Sequence, residues 1–434
     1  MHRRTFVAAA ASVTGGIGRS SPYESAAAPT TGTVGDWRAA FPALDQRING
    51  HPLVYLDSAA TTLRPLPVIE AIANFYRGPN ANPSASLHTL ARQASAALEG
   101  ARATVAGFIG ATDPLEIIFT RGTTEALNLV AATWGAANVR PGDEILIGVA
   151  EHASNMLPWR SLARASGAQL AYFGIDEHGS PHLDDLAAKL TPQTRVVAFS
   201  QVSNVLGTIN PAREMIALTR GPGRIVVVDA AQSVPHLPVD VGDLGCDFLA
   251  FSGHKVLGPM GLGVLWGRRQ LLDQMPPYQW GSNMAHDADL DGEHLAEGAL
   301  KYGAGTPNVS GPVGLAAALD FIRKIGHDTI VEHEQLINGR MMERLAQFPR
   351  VRLLGVADPT RRIGVFSFGV KGIAPNALAK ALDTEGVAIR AGDLASLPLL
   401  QHFGLSAAAR ASCYIYTTEA GVDRFAEVLG RAIS

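Results

Sequence analysis

An α/β fold is predicted, with a large domain on a mostly parallel sheet and a smaller α+β domain at the C-terminal end. Three features carry this. Between about Pro52 and Leu300, short β-branched runs alternate with helical stretches, the pattern of strands linked by helical crossovers. Most of those runs are apolar throughout rather than alternating, as strands covered on both faces should be. Beyond Leu300 two helical runs come first, and shorter strands and helices then mix.

Residues 1–35 stand apart. They read MHRRTFVAAAASVTGGIG and then a Ser/Pro/Ala/Thr-rich stretch. A charged start, a short apolar segment and small residues at Ala26-Ala27-Ala28 make a signal-peptide pattern. Arg3-Arg4 followed by Thr5-Phe6-Val7 resembles a twin-arginine export signal, which implies a periplasmic protein. The plainer alternative is a disordered Ala-rich tail on a cytoplasmic one. Residues 36–51 form an N-terminal arm, 52–300 the large domain and 301–434 the small one.

Within the large domain the candidate strands are PLVYLD, EIIFT, EILIG, QLAYF, RVVAFS, RIVVVD and DFLAFS. Helical segments lie between them, including His88 to Ile109 and Glu125 to Ala137. GLGVLWG follows Lys255 too closely for a helical crossover, so it is expected to run antiparallel. In the small domain, helices over Leu315 to Ile325 and Thr329 to Leu345 precede strand-like VRLLG and RIGVFSFGV. A helix near Asn376 to Glu385, strand-like VAIR and RASCYIY, and a last helix to Ile433 complete it.

Composition narrows the function. Hydrophobic residues make up 47% and charged residues 17%, a globular balance with a substantial core. A net charge of −3 offers no basic surface for nucleic acid. After the first thirty residues no apolar run reaches the roughly 18 residues a membrane helix needs, so no stable anchor is expected. Cys246 and Cys413 are the only cysteines; both lie in apolar runs and read as buried thiols, and no Cys/His spacing suggests a metal.

In a parallel α/β sheet, ligands bind beyond the carboxyl ends of the strands. EIIFT is followed by Arg121-Gly122-Thr123-Thr124-Glu125, and EILIG leads to Glu151-His152-Ala153-Ser154-Asn155. RVVAFS precedes Gln201-Val202-Ser203-Asn204, RIVVVD ends at Asp229 with Gln232 close behind, and DFLAFS ends in Ser252-Gly253-His254-Lys255. Five loops thus bring a helix-opening Gly-Thr-Thr, an aromatic base, an amide, a carboxylate and a lysine to one edge. Each is commonplace alone: a His or Asp after a strand often caps a turn, and a Lys in a Gly-rich loop is often solvated. Together they match the needs of pyridoxal 5′-phosphate (PLP). A lysine amine can form a Schiff base with the cofactor aldehyde and shuttle a proton. A carboxylate can keep the pyridine nitrogen protonated. An aromatic ring can stack on the pyridine, and a helix N-terminus suits the phosphate.

The chain resembles the class V aminotransferase superfamily, in its cysteine desulfurase/selenocysteine lyase branch. The segments that carry this are YLDSAATT, FTRGTTEALNLVA, EHASN, QVSNVLGTINP, VDAAQSVPH, CDFLAFSGHKVLGPMGLGVLWG, AGTPN and ARAS. The resemblance implies an aspartate-aminotransferase-like large domain and a PLP enzyme acting on a small amino acid. It makes Lys255 the Schiff-base lysine, Asp229 the pyridine-nitrogen partner, His152 the stacking ring and Gln232 the partner of the ring oxygen. Thr124, Ser252 and His254 would hold the phosphate, with Thr123 nearby. Thr306 would reach the phosphate site of a neighbouring subunit, which implies a homodimer. Arg410 would pair with the substrate carboxylate, Asn204 would help orient the substrate, and Arg390 and His88 match positions near that pocket.

One segment departs from the branch. Its desulfurases carry R-x-G-H-H-C-A-x-P, whose cysteine attacks the substrate sulfur and holds it as a persulfide. Here the aligned run is Arg390-Ala391-Gly392-Asp393-Leu394-Ala395-Ser396-Leu397-Pro398, which places Ala395 at the cysteine position. Ala153 replaces a second family histidine, and Ser84-Ala85-Ser86-Leu87-His88 replaces H-R-G-I-H. An alanine methyl cannot act as a nucleophile. The expectation is therefore lyase-type C–S chemistry without a protein persulfide. An aminotransferase or epimerase is the alternative; a genuine desulfurase or a non-catalytic PLP protein ranks behind. Asp393 could act as an acid, select a basic substrate group, or only cap a turn.

Overall fold

The computed structural model describes residues 37–83 and 87–434. The twin-arginine segment with Arg3-Arg4, and Ser84-Ala85-Ser86, lie outside the described residues.

Seven strands form the main sheet. They are β1 (Ile117–Thr120), β2 (Glu144–Gly148), β3 (Gln169–Phe173), β4 (Thr194–Ser200), β5 (Ile225–Asp229), β6 (Phe248–Ser252) and β7 (Gly263–Gly267). Their order is β1-β7-β6-β5-β4-β2-β3. β7 runs antiparallel to both β1 and β6, as its short connection requires, and the remaining pairs are parallel. Period-two geometry sends alternate side chains to opposite cores. Val226 and Val228 join one core cluster with Phe199 and Phe251, while Ile225 and Val227 join another with Trp159 and Ala250. Each fully buried Val contributes roughly 1.5–3 kcal/mol, which is why these runs carry no polar face.

Register assembles the functional edge. Ser200 lies opposite Asp229, Asp229 opposite Ala250, and Gly263 opposite both Ser252 and Thr120. The carboxyl ends of β1, β4, β5 and β6 are therefore level. The helices flanking this sheet include α1 (Leu66–Arg77), α2 (Thr89–Phe108), α3 (Thr123–Val130) and α4 (Ser310–Ile325). α4 packs on α1 and α2.

The C-terminal part contains an antiparallel sheet of β8 (Val351–Leu353), β9 (Val365–Val370), β10 (Arg390–Gly392) and β11 (Ala408–Ser412), in the order β8-β9-β11-β10. The helices α5 (His327–Ala346), α6 (Pro375–Asp383) and α7 (Glu419–Ile433) cover it through Leu345, Leu382, Phe425 and Leu429.

Three sequence expectations are corrected. PLVYLD is not part of the main sheet: Pro52 pairs with Arg47 in a short antiparallel ladder, Val54–Tyr55 pairs in parallel with Val387–Ala388, and Asp57 bridges to Ser412. The Glu125 to Ala137 helix is interrupted by a π turn over Ala131–Gly135. There Gly135 packs so closely on Leu162 that a Cβ would meet Leu162 Cδ2 at 2.5 Å. The strand expected over RASCYIY stops at Ser412, because Cys413 N turns to Gly364 O and Thr417 N closes a turn on Tyr414 O.

Candidate active site

A cavity of about 460 Å³ opens at the level strand ends. Lys255 is the last residue of a short 3-10 turn directly after β6, and its side chain enters the cavity half-buried. Desolvation lowers its pKa to about 8; Asp229 pulls it up and Arg410 pushes it down. Asp229 ends β5, buried, with Oδ1 accepting from Ala231 N at 2.9 Å. Burial raises its pKa, opposed by that hydrogen bond and by Lys255.

His152 follows β2 and lines the cavity. Its Nδ1 accepts from Ser154 N at 3.1 Å, so the ring hydrogen belongs on Nε2. Desolvation first, then Lys255 and Arg410, lower its pKa to about 4, so the ring is neutral near pH 7. Glu151 ties this loop to β4, accepting from Ser200 N at 3.0 Å and from Asn155 Nδ2 at 2.7 Å. His254 also lines the cavity as a neutral ring, its pKa lowered to about 4 by burial, then by Lys255 and Arg64.

The start of α3 supplies a cluster of donors. Thr123 N donates to Ser252 Oγ at 2.9 Å, Thr123 Oγ1 and Ser252 Oγ share a bond of 2.7 Å, and Thr124 Oγ1 meets Ser154 Oγ at 2.7 Å. β7 passes directly behind. A Cβ at Gly263 would come within 2.4 Å of Gly122 Cα, so only glycine lets this turn sit against the sheet.

Gln232 donates from Nε2 to Ala59 O at 2.8 Å, which leaves Oε1 buried without a partner. Opposite lies the run after β10. Asn204 Nδ2 donates to Leu394 O at 3.0 Å, Ala153 N to Ala395 O at 2.7 Å and Ala395 N to Asp393 Oδ1 at 3.1 Å. Leu394 and Ala395 both have φ 53°, the left-handed region. That costs non-glycine residues roughly 1–2 kcal/mol each. The bonds from Asn204 and Ala153, at about 1 kcal/mol each, offset part of that cost and tie the turn to the loops after β4 and β2. Asp393 itself is exposed and caps the turn while lining the cavity.

Arg410, on β11, is 3% exposed. Its Nη1 donates to Asn204 O at 2.9 Å, Nη2 lies 3.6 Å from Asp57 Oδ1, and Nε has no partner. An unsatisfied buried guanidinium donor is costly, and this one borders the cavity. Arg390 lies beside it, holding Asp57 through Nη2 at 2.7 Å.

Thus Thr123, Thr124, His152, Asn204, Asp229, Gln232, Ser252, His254, Lys255, Arg390 and Arg410 line one cavity. Thr306 and His88 do not. Thr306 is exposed in a separate pocket with Arg121 and Tyr278, and its Oγ1 accepts from Asn82 Nδ2. His88 is an exposed cap of α2, its Nδ1 accepting from Ala91 N at 3.3 Å. Asp57 and Ser154 were not among the residues singled out from sequence. Among the described residues, no group of His, Cys, Asp or Glu could hold a metal, and no helix is long and apolar enough to cross a membrane.

The family model "Aminotransferase class-V" matches residues 54–425, and the chain belongs to that family. Its members use PLP, and this chain is accordingly a PLP-dependent enzyme of class V. The chain is 44% identical over 389 residues to a probable cysteine desulfurase of Halalkalibacterium halodurans, covering 90% of this chain and 95% of that protein. It is 42% identical over 395 residues to a cysteine desulfurase of Pectobacterium atrosepticum, covering 91% and 96%. Among solved structures, the cysteine desulfurase CsdA of Escherichia coli superposes with a TM-score of 0.85 at 35% identity, over 93% of this chain and 98% of that one. An apo cysteine desulfurase of Thermococcus onnurineus gives 0.87 at 36%, over 92% and 98%.

The residues fit PLP. The hydroxyls and helix start at Thr123, Thr124 and Ser252 suit a phosphate. The unpartnered Gln232 Oε1 can accept from a ring hydroxyl. Lys255 supplies an amine, and Asp229 a carboxylate for a ring nitrogen.

The thiols are placed otherwise. Both cysteines are buried and free, and neither borders the cavity. Burial pushes the Cys246 thiol up to about 12 and raises that of Cys413 as well. A thiol reagent should therefore find no fast-reacting cysteine in the native protein and both after denaturation. A single fast thiol in the native protein would show that one of them is reachable.

Proposed function

We propose that this chain is a PLP-dependent lyase that cleaves the C–S bond of a small sulfur amino acid without loading sulfur onto a protein thiol. The observation that carries this is the lining of the cavity that Lys255 shares. There Arg390, Ala391, Asp393, Leu394 and Ala395 line the cavity, and no thiol does. The similarity to cysteine desulfurases supports a sulfur amino acid as substrate.

Arg410 binds the substrate carboxylate as a fork, and Asn204, bonded to the Leu394–Ser396 turn, helps orient it. Lys255, first the covalent hold for the cofactor, is then the base that takes the Cα proton. Its lowered pKa leaves a useful fraction of free amine near neutral pH. Bound PLP supplies the electron sink for the charge left at Cα. The neutral ring of His152 and the carboxylate of Asp229 are the residues that would hold its ring, Asp229 beside the ring nitrogen. With L-cysteine the balance is cysteine and water giving pyruvate, ammonia and hydrogen sulfide. Thr306, outside this cavity and exposed, supports a second subunit completing the phosphate site, hence a homodimer. The Arg3-Arg4 segment supports a periplasmic setting.

The relatives' names favour a second reading, desulfuration. Here it would need a thiol from outside the chain as sulfur acceptor, and it would leave alanine. Product identity separates the two: purified, PLP-loaded protein given L-cysteine should form pyruvate.

A further inference from the structure

We propose that Asp57 is a positioning residue that competes with the substrate's carboxylate for the arginine pair and so sets how tightly the amino acid is held. This rests on Arg410 being the carboxylate's partner. Arg390 and Arg410 are direct register partners on the antiparallel strands β10 and β11. Two guanidinium groups at such a site repel each other. Asp57 is brought to them by the backbone: Val54–Tyr55 pairs with Val387–Ala388, and Asp57 bridges to Ser412.

Its carboxylate is shared unequally. Arg390 takes it as a fork, Nε to Oδ1 at 3.1 Å and Nη2 to Oδ2 at 2.7 Å. Arg410 only reaches Oδ1 at 3.6 Å. Arg410 is the enclosed member, with a side chain 4% exposed against 49% for Arg390. So the buried arginine that borders the cavity is steadied but not saturated, and its Nε stays unpartnered. Two positive charges against one negative leave one unit of charge, which a single incoming carboxylate neutralises. Were Asp57 centred on Arg410, every substrate would first have to displace it. Were Asp57 absent, two uncompensated guanidinium groups would hold any carboxylate more tightly and less selectively.

The test is equilibrium binding of L-alanine, which has a carboxylate but no leaving group, to the PLP-loaded protein. Asp57→Asn keeps shape and backbone contacts and should tighten alanine binding by about tenfold. Turnover of L-cysteine should fall in the same variant, because the guanidinium groups are no longer held. Arg390→Gln should shift Asp57 onto Arg410 and weaken alanine binding by about tenfold, and the double variant should return towards wild type. Ethylamine, which lacks the carboxylate, should bind all of them alike. Unchanged or weaker alanine binding in Asp57→Asn would overturn the proposal. So would tighter binding in Arg390→Gln, which keeps the test open if Asp57→Asn does not fold. Arg410→Gln separates the premise: if it binds alanine as well as wild type, the carboxylate assignment itself fails.

Discussion

Replacing Lys255 with alanine should abolish turnover, a loss of roughly 10³-fold or more for removing both a nucleophile and a proton carrier. It should also remove the visible absorbance of lysine-bound cofactor, a readout independent of activity. The pH dependence follows from burial. An amine with its pKa lowered to about 8 is mostly protonated below that pH and free above it. Capture of added PLP by cofactor-free protein should therefore speed up as pH rises through about 8 and then level off. A persisting lysine-type spectrum in Lys255→Ala would mean that another amine holds the cofactor. The separate cationic site of Arg410 cannot substitute, because a guanidinium stays protonated.

Asp229→Asn should cost on the order of 10²-fold in turnover, the scale of losing one preorganised electrostatic partner. Asparagine keeps the acceptor for Ala231 N and removes only the charge. Stability should move the other way. Burial raises the pKa of Asp229, so its charged form is disfavoured in the fold. The stability it contributes is present below its unfolded pKa and lost as pH rises through the folded one. At neutral pH, cofactor-free Asp229→Asn should thus melt no lower than wild type. Near-normal turnover, or a large drop in melting temperature, would argue that the carboxylate is structural.

Much of this site was legible because its parts are local. Strands such as RIVVVD and DFLAFS are apolar on both faces, so pattern alone located them and the polar residues at their ends. A level sheet edge then brings Asp229, Ser252 and Lys255 together without further information. Asp57 was not legible as a partner of two arginines. Its position depends on Val54–Tyr55 pairing with Val387–Ala388, a contact between distant segments that no local period encodes. The π turn at Ala131–Gly135 has the same origin, since it answers to packing against Leu162 on another helix. Thr306 and His88 match family motifs, yet neither lines the cavity that holds the rest. A motif fixes the kind of residue; which cavity it serves depends on the surfaces it meets.

The seated turn at Leu394 and Ala395 links these points to chemistry. Asn204 and the His152 loop hold it by hydrogen bonds, so the part of the cavity lining that runs through Asp393, Leu394 and Ala395 is fixed in place and carries no thiol. The most direct measurement is the ratio of pyruvate to alanine formed from L-cysteine by PLP-loaded protein, with no added thiol. Pyruvate with matching ammonia and sulfide is the expected result. Alanine as the main product, with sulfur retained on the protein, would contradict C–S cleavage without a protein thiol.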